Sequence, residues 1–166
     1  HKYNGKDNVS LTYFGDGSAN QGQVYEAMNM AALWKLPVVY IIENNRYGMG
    51  TSIERASART DFADRGHSFG IPGEAVDGMD LLAVRAATLN AVGAIRAGEG
   101  PRILEMMTYR YRGHSMSDPA KYRSKDEVEK MRGERDPIEG LKTRMLESRA
   151  VDEAALKDLD GEVLAL

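Results

Sequence analysis

Two short polar motifs carry the side chains in this sequence that best suit metal and phosphate chemistry. The motif GDGS occupies residues 15–18, and the motif ENNRYG occupies residues 43–48. Carboxylate, amide and main-chain carbonyl oxygens are the hard ligands that Mg²⁺ takes in proteins. Glycines allow backbone N–H groups to approach a phosphate, and a helix that follows adds the positive end of its dipole. Together the motifs would suit a magnesium ion that bridges a diphosphate to the protein.

Each motif has an ordinary structural explanation when it is taken alone. A Gly-Asp-Gly sequence is usually a turn, and an Asn-Asn pair is usually a loop or a helix cap. Twenty-six residues separate Gly17 from Asn44, which is enough for one helix and one strand. If each motif follows a strand of one parallel sheet, both lie beyond its carboxyl edge, where open α/β sheets bind ligands. The joint placement therefore favours a binding site.

Hydrophobic periodicity predicts the elements that would place the two motifs. Apolar and β-branched runs indicate strands, and apolar residues at i, i+3, i+4 and i+7 indicate helices. The alternation of the two predicts an α/β fold with a parallel sheet and helices on both faces. In chain order the predicted elements are strand 9–14, helix 22–35, strand 38–42, strand 75–76, helix 81–97 capped by Asp80, and strand 103–107.

Two long polar loops and three charged helices complete the predicted chain. The loops span residues 44–73 and 109–123, and loops of such length in a compact domain are often functional. The predicted C-terminal helices are 124–132, 137–148 and 152–166. We therefore predict a metal- and diphosphate-binding α/β core at 1–135 and a helical extension at 136–166. Because the chain begins at His1 rather than methionine, we also expect a preceding part of a longer protein.

The composition excludes several classes of protein. The 166 residues carry a formal net charge of −3, and the pI is near 5.7, whereas nucleic-acid-binding proteins usually have a basic excess. No apolar run approaches the roughly 18 residues that a membrane helix needs. The absence of cysteine excludes disulfides, thiolate metal sites and cysteine nucleophiles. We expect neither a nucleic acid nor a membrane as a partner.

Two segments resemble a known family. Residues 15–52, which read GDGSANQGQVYEAMNMAALWKLPVVYIIENNRYGMGTS, closely resemble the alpha subunits of the thiamine-diphosphate-dependent pyruvate dehydrogenase component. Residues 109–119, which read YRYRGHSMSDP, resemble the same subunits. The resemblance extends from about Val9 to the last helices and implies a thiamine-diphosphate-binding fold.

The resemblance also implies roles for individual residues. The side chains of Asp16 and Asn45 and the backbone carbonyl of Tyr47 would bind Mg²⁺. Gly17 and Ser18 would offer backbone groups to the diphosphate.

A catalytic role is implied for His114 as well. This histidine would lie in a mobile loop near the thiazolium ring and contact the diphosphate. Without the resemblance, a histidine in this polar segment would be interpreted as a solvated loop residue. Arg110 and Arg112 would steer an anionic substrate or cofactor, unless they are solvated loop charges. Ser115 aligns with a serine that kinases phosphorylate in mitochondrial relatives.

The implied activity is oxidative decarboxylation of pyruvate with transfer of the acetyl group to lipoyllysine. The implied partners are a beta subunit, in an alpha2-beta2 heterotetramer, and the lipoyl domain of dihydrolipoyl acetyltransferase. The beta subunit would supply the glutamate that drives cofactor activation. The implied compartment is the bacterial cytoplasm, or the mitochondrial matrix in a eukaryote. Two alternatives remain open: an alpha subunit that acts on branched-chain 2-oxo acids or acetoin, and a non-catalytic α/β assembly module.

Overall fold

A computed structural model describes residues 2–166 of the chain. The strands are β1 (Ser10–Gly15), β2 (Val38–Asn44), β3 (Tyr47–Gly48), β4 (Thr51–Ser52), β5 (Gly73–Asp77) and β6 (Arg102–Met107). The α-helices are α1 (Gly22–Leu33), α2 (Ile53–Ala56), α3 (Leu81–Arg96), α4 (Lys125–Arg135), α5 (Pro137–Glu147) and α6 (Glu153–Leu164). Short 3₁₀ helices occupy Lys2–Asn4, Ser18–Asn20 and Ala63–Phe69.

Four strands form one parallel sheet in the order β1-β2-β6-β5. In the register of the sheet Gly15 pairs with Glu43, and both Asn44 and Asp77 pair with Met107. The carboxyl ends of all four strands therefore lie at one edge. The segments that follow β1, β2 and β6 leave the sheet from this edge, as predicted for the two motifs.

The sheet is covered on both faces, which explains why β2 and β6 are mostly apolar. On one face α1 and the 3₁₀ helix Ala63–Phe69 pack over a core of buried residues. On the other face α3 covers a second core. The first core includes Met28, Ala31, Tyr40, Ile42, Phe62 and Ile103. The second includes Val39, Ile41, Ala87, Ala91, Ile95 and Leu104. The prediction of an α/β fold with helices on both faces is confirmed.

Some boundaries differ from the prediction for identifiable reasons. Strand β2 continues to Asn44, since Asn44 pairs with Met107 and its side chain is fully buried. Helix α1 ends at Leu33 rather than Lys35, because Lys35 has a φ of 47°, in the left-handed region that a helix does not use. The predicted loop 44–73 contains the β3–β4 hairpin, α2 and a 3₁₀ helix.

The three C-terminal helices lie where the sequence places them. Their N-caps are Ser124, Asp136 and Asp152, whose side chains accept backbone N–H bonds from the first turn. Within α4 to α6 no residue is buried. The division of the chain after residue 135 stays a prediction. None of the helices in residues 2–166 has the length and apolar character to cross a bilayer.

Candidate metal and diphosphate site

The two motifs meet at a pair of glycines. A Cβ placed on Gly17 would lie 3.2 Å from the Cα of Gly48, and a Cβ on Gly48 would lie 3.3 Å from the Cα of Gly17. A side chain at either position would therefore require the other loop to move by a few tenths of an ångström. The loops after β1 and β2 are therefore in direct contact.

Asp16 is a buried acidic side chain directly after β1. It is 2% exposed, and its Oδ1 accepts the backbone N–H of Gly17 at 2.7 Å. Its Oδ2 is buried and has no hydrogen-bond partner among residues 2–166. Burying a carboxylate oxygen without a partner is costly, so such an atom points to a ligand that completes its coordination. A cation or a hydrogen-bond donor would satisfy this carboxylate oxygen.

The second loop presents oxygen atoms around a strained residue. Arg46 has a φ of 68°, a left-handed conformation that is costly for a residue with a side chain. Its N–H donates to Asn44 Oδ1 at 2.9 Å, and its carbonyl accepts the N–H of Ile53 at 3.1 Å. Asn45 Oδ1 accepts the N–H of Tyr47 at 3.3 Å, which leaves one lone pair of that oxygen for another partner.

A buried polar pair lies beneath this loop. Asn44 Nδ2 donates to Glu105 Oε1 at 2.6 Å, and the backbone N–H of Ala63 donates to Glu105 Oε2 at 2.7 Å. The side chain of Glu105 is 2% exposed. Sequence reasoning missed Glu105, although an acidic residue in the middle of an apolar strand is itself a signal, because a buried charge needs partners.

Two arginines fasten the loop 109–123 to the loop after β2. Arg110 donates to the carbonyl oxygens of Tyr47 at 3.4 Å and Met49 at 2.6 Å. Arg123 donates to the carbonyl oxygen of Asn45 at 2.6 Å, and to that of Arg110. These bonds place the loop 109–123 over the Asn45–Met49 segment.

Aromatic rings enclose Arg123. Its guanidinium carbon lies 4.3 Å from the ring centre of Tyr109 and 4.7 Å from that of Tyr47. The ring of Tyr47 in turn stacks on Tyr122, with the ring centres 4.8 Å apart. Burial, followed by the hydrogen bond that its hydroxyl donates to Glu127, raises the pKa of Tyr109 to about 12. Tyr109 is therefore a neutral donor at physiological pH.

Asp118 organises the tip of the loop 109–123. It accepts the backbone N–H of His114 at 2.8 Å, the hydroxyl of Tyr122 at 2.7 Å and the backbone N–H of Ala120 at 2.9 Å. These three donors, with the nearby charge of Arg110, hold the pKa of Asp118 at about 2. The carboxylate is therefore charged at neutral pH.

His114 is exposed and lies beside Arg110. Its Nδ1 is 3.3 Å from Nη1 of Arg110. A guanidinium has no acceptor, so Nδ1 must accept, and the proton of the neutral ring is then on Nε2. Since Arg110 also contacts the carbonyl of Tyr47, one side chain joins His114 to the second motif.

The predicted site residues fall into three groups. Asp16, Gly17, Asn45 and Tyr47 lie together at the carboxyl edge of the sheet. His114 contacts Arg110, which in turn donates to the carbonyl oxygen of Tyr47. Ser18 begins a 3₁₀ helix, where its carbonyl accepts the N–H of Gln21 at 3.0 Å.

The set of oxygen atoms limits the kind of metal that the site suits. In residues 2–166 no cluster of three or more His, Cys, Asp or Glu side chains gathers to hold a metal. The available donors are one carboxylate, one amide oxygen and backbone carbonyls. Such a set suits Mg²⁺, which keeps waters and takes substrate phosphates as ligands, better than a metal that needs a full cage of protein ligands.

The chain is 69% identical over 163 residues to the pyruvate dehydrogenase E1 component subunit alpha of Rhizobium meliloti (strain 1021). It is 60% identical to the protein of that name from Zymomonas mobilis and 58% identical to the human somatic, mitochondrial form. Each alignment covers 98% of this chain.

The same alignments cover 47%, 46% and 41% of those relatives. The chain thus spans about half the length of the relatives that it matches. The family model described as dehydrogenase E1 component matches residues 1–166. The chain belongs to the dehydrogenase E1 component family.

Proposed function

We propose that this chain is the metal- and diphosphate-binding part of a pyruvate dehydrogenase alpha subunit. The whole enzyme would decarboxylate pyruvate oxidatively with thiamine diphosphate and pass the acetyl group to lipoyllysine. The three relatives are all named as pyruvate dehydrogenase subunits, which supports pyruvate as the substrate over branched-chain 2-oxo acids and acetoin.

The buried Oδ2 of Asp16 is the observation that carries this proposal. It is a carboxylate oxygen without a partner in residues 2–166, at the point where the two predicted motifs touch. This oxygen favours a magnesium site over a non-catalytic assembly module, because a bound cation would offset the cost of burying it.

The residues present fit Mg²⁺ with a diphosphate. Asp16 Oδ2, Asn45 Oδ1 and the carbonyl oxygen of Tyr47 would hold the metal. The carbonyl of Tyr47 has two lone pairs, so its long contact with Arg110 does not prevent coordination. Arg46, Arg110 and Arg112 add positive charge beside the loops, which favours a diphosphate anion.

Gly17 and Ser18 would face the diphosphate with backbone groups. When bound, thiamine diphosphate supplies the carbon nucleophile that adds to the keto group and the electron sink that carbon dioxide loss requires. The protein's own task is to hold and orient that group.

His114 would act as a hydrogen-bond donor toward the diphosphate and the reacting oxygens. Arg110 fixes the proton on Nε2 by occupying the Nδ1 side, and Asp118 fixes the backbone at His114. The donor thus approaches the site in one tautomer and from a loop that is itself held in place.

The active enzyme requires further chains. We propose a beta subunit that completes the site in an alpha2-beta2 heterotetramer, and a lipoyl domain of dihydrolipoyl acetyltransferase as acceptor. Exposed apolar side chains on this chain, such as Tyr13 (60%) and Trp34 (51%), are consistent with coverage by additional protein. The compartment would be the bacterial cytoplasm, or the mitochondrial matrix in a eukaryote.

Substrate choice is tested on the full-length protein that contains this chain, assembled with its beta subunit. We expect decarboxylation of pyruvate to exceed that of 2-oxoisovalerate and acetoin in kcat/KM. A preference for 2-oxoisovalerate or acetoin would contradict the proposed substrate, and no turnover of any of the three would contradict the proposed enzyme.

A further inference from the structure

We propose that Glu105 is a positioning residue that fixes the conformation of the metal-binding loop through Asn44. The inference rests on the proposed function for the identity of the metal, but its structural basis is independent of it. Glu105 itself lies in the core of the sheet and would not touch the metal or the diphosphate.

Glu105 and Asn44 form a continuous path from the core to the loop. Asn44 uses both ends of its amide: Nδ2 donates to Glu105 Oε1, and Oδ1 accepts the N–H of Arg46. The side chain of Asn44 is 0% exposed, so water cannot replace either bond. Nδ2 also lies 3.7 Å from Met107 Sδ, a weak acceptor, so the short bond to Glu105 is the main contact that orients this amide.

The amide orientation matters because Arg46 adopts an unfavourable backbone conformation. Arg46 has a φ of 68° and stands between Asn45 and Tyr47, the two predicted ligands of this loop. A strained residue keeps its conformation only when surrounding contacts impose it. The bond from Arg46 N–H to Asn44 Oδ1 is one such contact, and it exists only while Nδ2 faces Glu105.

Glu105 is itself fixed from the opposite side. Its Oε2 accepts the N–H of Ala63, at the start of the 3₁₀ helix. That helix is closely packed, because a Cβ on Gly73 would lie 1.9 Å from the carbonyl oxygen of Ala63, and one on Gly66 would lie 2.5 Å from Ile103. The carboxylate thus lies between a closely packed backbone and the amide that it orients.

Only a group with two acceptor oxygens satisfies both donors. Glutamine at position 105 offers one oxygen, which the fixed N–H of Ala63 takes, and its amide then faces the amide of Asn44. If Asn44 keeps its orientation, its Nδ2 group faces the amide N–H groups of the glutamine, and two donors oppose each other. If its amide turns over, its Nδ2 group faces the N–H of Arg46, and two donors oppose each other there. Either result removes the constraint on the loop.

The test reverses the direction of the hydrogen bond between positions 44 and 105. In Asn44→Asp/Glu105→Gln the glutamine amide donates to the aspartate, whose second oxygen still accepts the N–H of Arg46. In each single variant, two donors or two acceptors face each other between positions 44 and 105. In the double variant, the bonds to Ala63, between positions 44 and 105, and to Arg46 are all satisfied, and the net charge is that of the wild type. Leu104→Val is the control, because Leu104 is equally buried but lies on the other face of the sheet.

Two measurements are made on the full-length protein in its native assembly. The first is the Mg²⁺ concentration required for thiamine diphosphate to bind, measured by titration calorimetry. The second is hydrogen exchange of the peptide 44–52 without metal or cofactor. We expect Glu105→Gln to raise the required Mg²⁺ concentration roughly 10–100-fold, the usual effect of residues that support a metal ligand. We expect it also to speed exchange at Arg46, and the double variant to restore both.

The outcomes separate this inference from the proposed function. Wild-type protein that binds no thiamine diphosphate with Mg²⁺ overturns the proposed function and, with it, the role toward the metal. Wild-type binding with an unchanged Mg²⁺ requirement in Glu105→Gln overturns the positioning role alone, as does an equal change in Leu104→Val. If Glu105→Gln does not fold, the double variant decides: wild-type binding supports the role, and weak binding or no folding overturns it.

Discussion

Gly17 and Gly48 touch through their backbones, so that a Cβ added to Gly17 would lie only 3.2 Å from the Cα of Gly48. This contact joins the loop after β1 to the loop after β2, although the two glycines are separated by a helix and a strand in the sequence. The relative position of Asp16 and Asn45 therefore depends on the absence of two side chains.

Gly48→Ala is expected to weaken Mg²⁺-dependent binding of thiamine diphosphate. The new methyl group would stand 3.3 Å from the Cα of Gly17, a backbone atom that has no rotamer to change, so one loop must move by a few tenths of an ångström. We expect a loss of about 10-fold or more in affinity, similar to that for other supports of metal ligands. Calorimetric titration of the full-length assembly measures it.

Gly93→Ala is the matched control. Gly93 is exposed within α3, and a Cβ added there would meet no neighbouring atom within 4 Å, so alanine should stabilise the protein by about 1 kcal/mol or less and leave binding unchanged. Equal affinities in Gly48→Ala and Gly93→Ala would show that the glycine contact does not set the site.

Arg123→Lys is expected to loosen the loop 109–123. Lysine keeps the charge but loses the planar group that stacks on Tyr109 and donates to two carbonyl oxygens at once. We expect faster trypsin cleavage within the loop. We also expect weaker Mg²⁺-dependent binding of thiamine diphosphate, since the backbone carbonyl of Asn45 loses the guanidinium that donates to it. Arg112→Lys, at an exposed position in the same loop, should change neither. Similar behaviour of the two variants would contradict a clamping role for Arg123.

The loop should keep its order down to low pH. The bonds from the backbone N–H of His114, the hydroxyl of Tyr122 and the backbone N–H of Ala120 hold the pKa of Asp118 at about 2, below its ordinary value near 4. A lowered pKa in the folded state means that the stabilisation is complete above pH about 4 and is lost as the pH falls through about 2.

Pepsin digestion between pH 5 and pH 2 measures this dependence. Cuts within 109–123 should appear only toward the acidic end for the wild type, and at higher pH for Tyr122→Phe, which removes one of the donors. Cuts within the buried strand β2 report global unfolding and serve as the reference. Loop cleavage that does not change with pH, or that always accompanies cleavage of β2, would contradict this role of Asp118.

The fold was largely predictable from the sequence, because a strand that is buried on both faces of a sheet consists of mostly apolar residues. Residues 38–42 of β2 form a continuous apolar run between Pro37 and the polar motif, and α3 has both an apolar face and the cap at Asp80 that the sequence predicts. The site motifs were recognisable for a related reason: their chemistry-bearing residues directly follow strands. The prediction that both lie at one edge required only that the strands be parallel.

The supporting residues of the site could not be predicted, because their roles depend on contacts between distant segments. Arg123 bonds to Asn45, which is 78 residues earlier in the chain. Asp118 and Tyr122 have roles only when the loop 109–123 is folded, and no periodicity describes such a loop. Glu105 was the exception, since a carboxylate inside a buried strand indicates buried partners without naming them.

The most direct test of the metal site is the binding of thiamine diphosphate to Asp16→Ala as a function of Mg²⁺ concentration, measured on the full-length assembly beside the wild type. We expect saturable, Mg²⁺-dependent binding by the wild type. For Asp16→Ala we expect a loss greater than the roughly 10–100-fold expected for supporting residues, because a metal ligand is removed. An unchanged Mg²⁺ dependence of binding in Asp16→Ala would contradict the metal site.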